Sequence, residues 1–178
     1  VIVTGGSGSR AISGPEAGIA RTFVHCPRQA AIPTSAEISA AVRRLKEAPN
    51  AFVTNGPFIE ATVNGQPIGS FQTAREGMVR MRLRVRAPAW VDVRKVTVYR
   101  NGERVEEFDL ADSRRLLRCD RDLELDASSD CWFVVQVEGR KPMRLAYCGG
   151  SDAPIPFAVT NPFWVDADGD GQVRVPGP

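Results

Sequence analysis

Arginine alternates with apolar residues through Val79-Arg-Met-Arg-Leu-Arg-Val-Arg86, and this alternation restricts the fold more than any other feature of the chain. Side chains of a β-strand point alternately to the two faces of a sheet, so one face here is apolar and the other carries four positive charges. The apolar face predicts a buried core. The charged face is explained either by an anion-binding surface or by carboxylates on adjacent strands. We favour the carboxylates, because acids follow at Glu103, Glu106, Glu124 and Asp126.

Short strands and turns continue this pattern over roughly residues 51 to 148. Asn101-Gly102 predicts the tip of a hairpin that runs from Val96 to Val105. Further strands are predicted at Leu116 to Leu125, Trp132 to Val137 and, as a candidate, Met143 to Tyr147. The sequence therefore predicts a mainly-β fold with an Ig-like antiparallel β-sandwich, in which Trp90 and Trp132 serve as core anchors.

A short strand from Arg21 to His25 and one helix are predicted before this region. Thr34-Ser-Ala-Glu37 has the form of a capping box, and apolar residues follow at helical spacing. The helix should end near Glu47, because Pro49-Asn50 follows. His25, the only histidine, has no Cys, Asp or Glu at ligand spacing and receives no role.

Two related turns flank the predicted sheet. Thr54-Asn55-Gly56-Pro57 follows a short apolar strand, and Thr160-Asn161-Pro162 repeats part of it near the end of the chain. Asn and Gly tolerate positive φ, and proline starts a new extended segment. Both a ligand contact and a structural corner are compatible with the pattern, and we favour the corner.

Asp166, Asp168 and Asp170 alternate with small residues and are followed by Gly171, which matches the first half of a calcium-binding loop. The closing acid of an EF-hand is missing, since Gly177 occupies its place. The sequence therefore excludes a complete EF-hand, but a calcium site completed by backbone, water or a distant carboxylate remains open. Asp-Gly repeats are also common in surface turns.

Composition excludes several functions. The formal net charge is +2, and the alternating arginines have no aromatic stacking partners, so we expect no nucleic-acid binding. No stretch is long and apolar enough to span a membrane, and the compartment stays unassigned.

The four cysteines lack zinc-site spacing, and a disulfide between Cys119 and Cys131 is left open. The glycine-rich segment after Val3 lacks both phosphate-loop patterns.

Three landmarks together resemble one protein family: Thr54-Asn-Gly-Pro-Phe58, the sandwich with Ala87-Pro-Ala-Trp90 and Val98-Tyr-Arg-Asn-Gly102, and Thr160-Asn-Pro-Phe-Trp-Val-Asp-Ala-Asp-Gly169. They resemble the carboxyl-terminal part of PHP-superfamily (polymerase and histidinol phosphatase) metallohydrolases, in the carbaryl-hydrolase-like branch, over nearly the whole chain. The resemblance implies a preceding β/α barrel whose His and Asp ligands hold divalent metals for ester or phosphoester hydrolysis. Residues 1–50 would then be the end of that barrel domain, and residues 51–178 an appended β-sandwich.

The resemblance also indicates a loss. The family loop reads Gly-Asn/Gly-Ser-Asp-Ser/Ala-His, whereas this chain reads Gly5-Gly-Ser7-Gly8-Ser9-Arg10. Ser7 matches, but Gly8 and Arg10 stand where the metal-binding Asp and His are expected, and neither can coordinate a metal.

We therefore expect an accessory domain without catalytic residues of its own. Its partner would be a PHP-like domain of the same polypeptide, the chain being a piece of a longer protein, and homo-oligomerisation is left open. The alternative is a calcium-stabilised extracellular β-sandwich that binds carbohydrate or protein.

Overall fold

A computed structural model describes residues 2–6, 18–26, 32–144 and 153–175, and in these ranges the chain is mainly β with one helix. The elements in chain order are β1 Arg21–Val24, α1 Ser35–Arg44, β2 Ala51–Thr54, β3 Phe58–Val63, β4 Gln66–Pro67, β5 Phe71–Thr73, β6 Met78–Arg86, β7 Lys95–Arg100, β8 Glu103–Asp109, β9 Leu117–Asp126, β10 Cys131–Glu138, β11 Phe157–Thr160 and β12 Phe163–Asp166.

The larger of two sheets is built around β10. One edge of β10 pairs along most of its length with β7, which in turn pairs with β8. The other edge is divided, because Gln136–Glu138 pair with β11 and Cys131–Phe133 pair with β12. From β11 the sheet continues through β2 to β1. From β12 it continues to β5, and these two strands are parallel. The chain between β11 and β12 therefore turns a corner against the middle of β10.

The smaller sheet has the antiparallel order β4-β3-β6-β9. Its central strand is the alternating segment, and Val79, Met81, Leu83 and Val85 are all at most 2% exposed. These side chains join one hydrophobic cluster with the inward residues of β7, β10 and β12. The two sheets thus bury a common core between them, as expected for a β-sandwich.

The tryptophans predicted as core anchors do not fill this core. Trp90 is 45% exposed in the loop after β6, and Trp132 is half-buried on the outer face of β10. Phe133 and Phe163 fill the core instead, and both are completely buried. The prediction was wrong by one residue on β10, because strand alternation places Phe133 inside only when Trp132 points outward.

The four arginines of β6 lie on the outer face and pair with acids of the neighbouring strands, as favoured from the sequence. Arg80 contacts Glu124 at 3.2 Å, and Arg86 contacts Glu60 at 3.3 Å. The remaining pairs are Arg82 with Asp120 and Asp122, and Arg84 with Asp120. Of the acids proposed as partners, Glu124 has that role, whereas Asp126 contacts Arg100 and Glu103 and Glu106 belong to β8 of the other sheet.

The capping box at the start of α1 is confirmed. The Thr34 hydroxyl accepts the Glu37 N–H at 3.2 Å, and the Glu37 carboxylate accepts the Thr34 N–H at 2.6 Å. The helix ends at Arg44, three residues before the predicted end, and turns continue to Ala48. Apolar packing on the helix is one-sided, because Ala41 and Leu45 are buried whereas Ile38 and Val42 are exposed.

The remaining predictions had mixed outcomes. The strand at Arg21 and the Asn101-Gly102 hairpin are present, with Asn101 and Gly102 both at positive φ. Met143 and Arg144 are not in a strand, and residues 145–147 lie outside the described ranges. Cys119 and Cys131 are buried with free thiols, and no disulfide joins them in this structure. Because β1 pairs with β2, the segment before residue 50 shares a sheet with the segment after it.

Candidate functional site

Thr54, Asn55, Gly56 and Pro57 form a corner between the two sheets. The Thr54 hydroxyl accepts the Gly56 N–H at 2.9 Å and donates to the Pro57 carbonyl at 2.5 Å. The Asn55 side chain accepts the Phe157 N–H at 2.7 Å and donates to the Ile155 carbonyl at 2.7 Å. The side chains of Thr54 and Asn55 thus satisfy backbone groups at the point where β2 leaves the larger sheet.

Thr160 and Asn161 likewise satisfy backbone groups at the second corner. The Thr160 hydroxyl accepts the Val135 N–H at 3.0 Å, at the point where the edge of β10 passes from β11 to β12. Asn161 is fully buried; its amide donates to the Ala51 carbonyl at 3.0 Å, and its carbonyl oxygen accepts the Val3 N–H at 2.7 Å. Pro162 then begins the segment that becomes β12. These contacts explain both turns as structural corners, without a ligand.

The Asp166 loop contains the strongest candidate for a binding site. Asp166 is 1% exposed, and its two carboxylate oxygens accept the N–H groups of Gly169 at 2.7 Å and Gly171 at 2.8 Å. Gly171 has a φ of +83°, which suits glycine at the sharp turn expected of the sixth loop position. The loop is thereby folded around its first aspartate.

A third carboxylate reaches this loop from the turn between β9 and β10. One carboxylate oxygen each of Asp130, Asp166 and Asp168 lies within 4.8 Å of the other two. Ca²⁺ takes oxygen ligands at 2.3–2.6 Å, so two ligands of one ion are at most about 5 Å apart, and the three oxygens satisfy that limit. Asp130 is thus in place to serve as the distant carboxylate that the sequence left open.

Asp170, the third residue of the predicted set, is directed elsewhere. Its carboxylate pairs with the Arg174 guanidinium and accepts the Gln172 N–H at 2.9 Å. Both contacts lower the pKa of Asp170 below its ordinary value. The N–H groups of Arg174 and Ala167 likewise lower the pKa of Asp130, so both carboxylates are ionised at neutral pH.

Asp130 was missed by the sequence analysis, because what identifies it is the pairing of β10 with β12. Cys131 pairs with Val165 across the sheet, so the preceding and following positions, Asp130 and Asp166, are neighbours at the same end. Only the strand register contains this information, and register between segments so far apart in sequence is not readable from local patterns.

Ser7, Gly8 and Arg10, the residues matched to the family's metal loop, lie outside the described residues. Among the residues that the structure does describe, the Asp130 group is the one cluster of three potential ligands, and it contains no histidine. The His and Asp set of a PHP-type metal centre is therefore not matched by the described part of the chain.

Comparison with protein-family models, with curated proteins and with solved structures gave no significant match. No helix in the described ranges is long and apolar enough to cross a bilayer.

Replacing Thr160 by valine tests the corner. The substitution keeps the shape of the side chain but leaves the buried Val135 N–H without an acceptor, which costs about 1–3 kcal/mol of unfolding free energy. Thr62→Val, at a half-buried position on the outer face of β3, is the matched control and should change stability by less than about 0.5 kcal/mol. Urea unfolding measures both variants, and an equal effect of the two would contradict the assignment.

Proposed function

We propose that the chain is a non-catalytic accessory domain of a PHP-type metal-dependent hydrolase, and that it packs against the catalytic barrel through α1. The proposal rests on the resemblance of its turns and sandwich to the carboxyl-terminal part of that family. In this account the sandwich is Ig-like and includes β1, α1 is the last element of the barrel domain and packs on the rest of it, and ester or phosphoester hydrolysis belongs to the barrel.

The half-covered apolar stripe of α1 is the observation that carries the docking proposal. Four apolar residues, Ile38, Ala41, Val42 and Leu45, fall within one stripe of the helix by their spacing. Ala41 and Leu45 on one side of this stripe are buried, whereas Ile38 is 48% and Val42 is 51% exposed. Nearby in sequence, Ile32 is 81% and Phe23 is 37% exposed. Ile38 and Val42 are four residues apart and therefore adjacent on the helix, and adjacent exposed apolar groups are typical of surfaces that another protein surface covers.

The divalent metals that the resemblance implies would be held by the barrel. Gly8 has no side chain, and Arg10 carries a positive charge and donates hydrogen bonds, so neither fits a ligand position. The role left to this domain is to pack against the barrel and shape the entrance to its active site.

The double variant Ile38→Asp, Val42→Asp tests the docking surface. In the 178-residue chain alone these exposed positions should tolerate the change, with unfolding free energy altered by less than about 1 kcal/mol. In the product of the complete natural reading frame, the buried charges should lower the melting temperature and weaken hydrolysis. Val105→Asp, at a 42% exposed position of β8, is the control and should have no effect in either protein.

Two results would contradict the proposal. One is a reading frame that encodes no upstream domain with a His-x-His pattern. The other is a double variant that behaves like the Val105 control in the complete protein.

The acidic loop supports a second candidate function, a calcium-stabilised β-sandwich that binds carbohydrate or protein outside the cell. Asp166 is buried, Asp130 converges on it from another turn, and Asp168 supplies an exposed carboxylate. A bound Ca²⁺ would neutralise these like charges and tie the β9–β10 turn to the loop after β12.

Calcium binding to the folded state must raise the melting temperature. At a calcium concentration of about one hundred times Kd, the stabilisation is about 2.7 kcal/mol. Asp168→Ala should abolish this shift with little change in the calcium-free protein, because Asp168 is exposed and, within the described ranges, its carboxylate accepts the local Asp170 N–H. Asp109→Ala, on the exposed edge strand β8, is the control and should retain it. The absence of a shift at millimolar calcium would exclude this candidate.

A further inference from the structure

A row of three aromatic side chains crosses the outer face of the larger sheet. Trp132 on β10 lies directly opposite Trp164 on β12, and Trp164 is in register with Phe71 on β5. Residues in register on adjacent strands point to the same face, and strands are about 4.8 Å apart, so the row extends about 10 Å across the sheet. Phe71 is 51% exposed, and both tryptophans are half-buried. We call these three residues the aromatic row.

The chain covers another part of the same face. Residues 2–6 run across β1 and β2. The Gly5 N–H donates to the Thr22 hydroxyl at 2.8 Å, and Gly5 lies so close to Val53 that a Cβ there would clash with its Cγ1. The Val3 contact with Asn161 fixes this segment over the β2–β11 side. The aromatic row lies on the opposite side of that corner, where β12 and β5 extend the sheet.

Acceptor groups lie beside the row on the same strands. Two residues along from Trp164 and Trp132 are Asp166 and Asp130, and two along from Phe71 is Thr73, all on the outer side by alternation. Asp168 is exposed next to them, and one of its oxygens accepts the Asp170 N–H at 3.1 Å. The cation of this loop, Arg174, is engaged by Asp170.

These features select among ligand classes by charge and shape. The carboxylates repel polyanions, which excludes nucleic acids and phosphate-rich ligands from this end of the sheet. Three side chains in register on adjacent strands stand side by side on one face, whereas a cage for an ammonium group needs rings that enclose it from several sides. A sugar ring has an apolar C–H face that packs on an aromatic ring and a hydroxyl edge that donates to carboxylates, so a neutral glycan matches both halves of the surface.

We propose that the aromatic row and the exposed carboxylate of Asp168 form a binding surface for a neutral glycan. This inference rests on the second candidate function, the binding module, and names its ligand class. Glycan binding at this surface does not require calcium. The sugar rings lie over Phe71, Trp164 and Trp132, and hydroxyls at one edge donate to Asp168.

Affinity electrophoresis tests the proposal with soluble galactomannan, xylan, mixed-linkage β-glucan and starch in the gel, alongside depletion by cellulose and chitin. At least one of these neutral polysaccharides should retard or deplete the protein. Phe71→Ala and Trp132→Ala should each weaken that binding about tenfold. Trp90→Ala removes an equally large exposed aromatic outside the row and is the control that should bind normally.

Folding and calcium are separated from glycan binding within the same experiment. Phe71 is exposed enough that its alanine variant should keep the melting temperature of the parent, so a loss of binding in that variant reports on contact. Each assay is run with EDTA and with millimolar calcium. Binding in EDTA that depends on the row supports the glycan surface even if the calcium titration fails.

Three outcomes overturn the proposal. The first is no binding to any of the polysaccharides in either condition. The second is unchanged binding by the double variant Phe71→Ala, Trp132→Ala. The third is that row variants lose contact with another protein domain but keep their glycan binding. A calcium-dependent rise in melting temperature without glycan binding would support the calcium site and contradict the glycan surface.

Discussion

The divided edge of β10 is the constraint on which the larger sheet depends. Two strands, β11 and β12, share that edge, and the chain must turn between them without leaving buried backbone groups unpaired. The Thr160 hydroxyl satisfies the Val135 N–H, and Asn161 satisfies the Ala51 carbonyl and the Val3 N–H. Asn55 performs the equivalent task for the segment that leads into β11. Short polar side chains at these corners therefore allow one strand to join two arms of a sheet.

This arrangement also determines where ligands and partners can bind. One arm, through β2 and β1, carries the stacked rings of Phe23 and Phe52, and the chain between these two strands contains α1 with the proposed docking surface. The other arm, through β12 and β5, places Trp164 beside Trp132 and Asp166 beside Asp130. The proposed docking surface thus lies on the connection between the strands of one arm, and the proposed glycan surface lies on the strands of the other.

Local patterns predicted the elements well because their causes are local. The Thr34 capping box, the Asn101-Gly102 hairpin and the β6 alternation each depend on residues a few positions apart. Polar Gln136 and Glu138 share the face of Trp132, so local alternation in β10 already indicates the inward position of Phe133, whereas the meeting of Asp130 with Asp166 depends on register between distant segments. Only part of the predicted metal set came together, because Arg174, four residues after Asp170, draws that carboxylate away.

Hydrogen–deuterium exchange of α1 tests the central claim most directly. The 178-residue chain is compared with the product of the complete natural reading frame, and the tip of the β7–β8 hairpin serves as the internal reference. The account predicts that α1 amides exchange more slowly in the complete protein, since packing on Ile38 and Val42 suppresses opening of the helix, while the hairpin tip is unchanged. Identical exchange of α1 in the two proteins would contradict the claim that this helix docks on a catalytic domain.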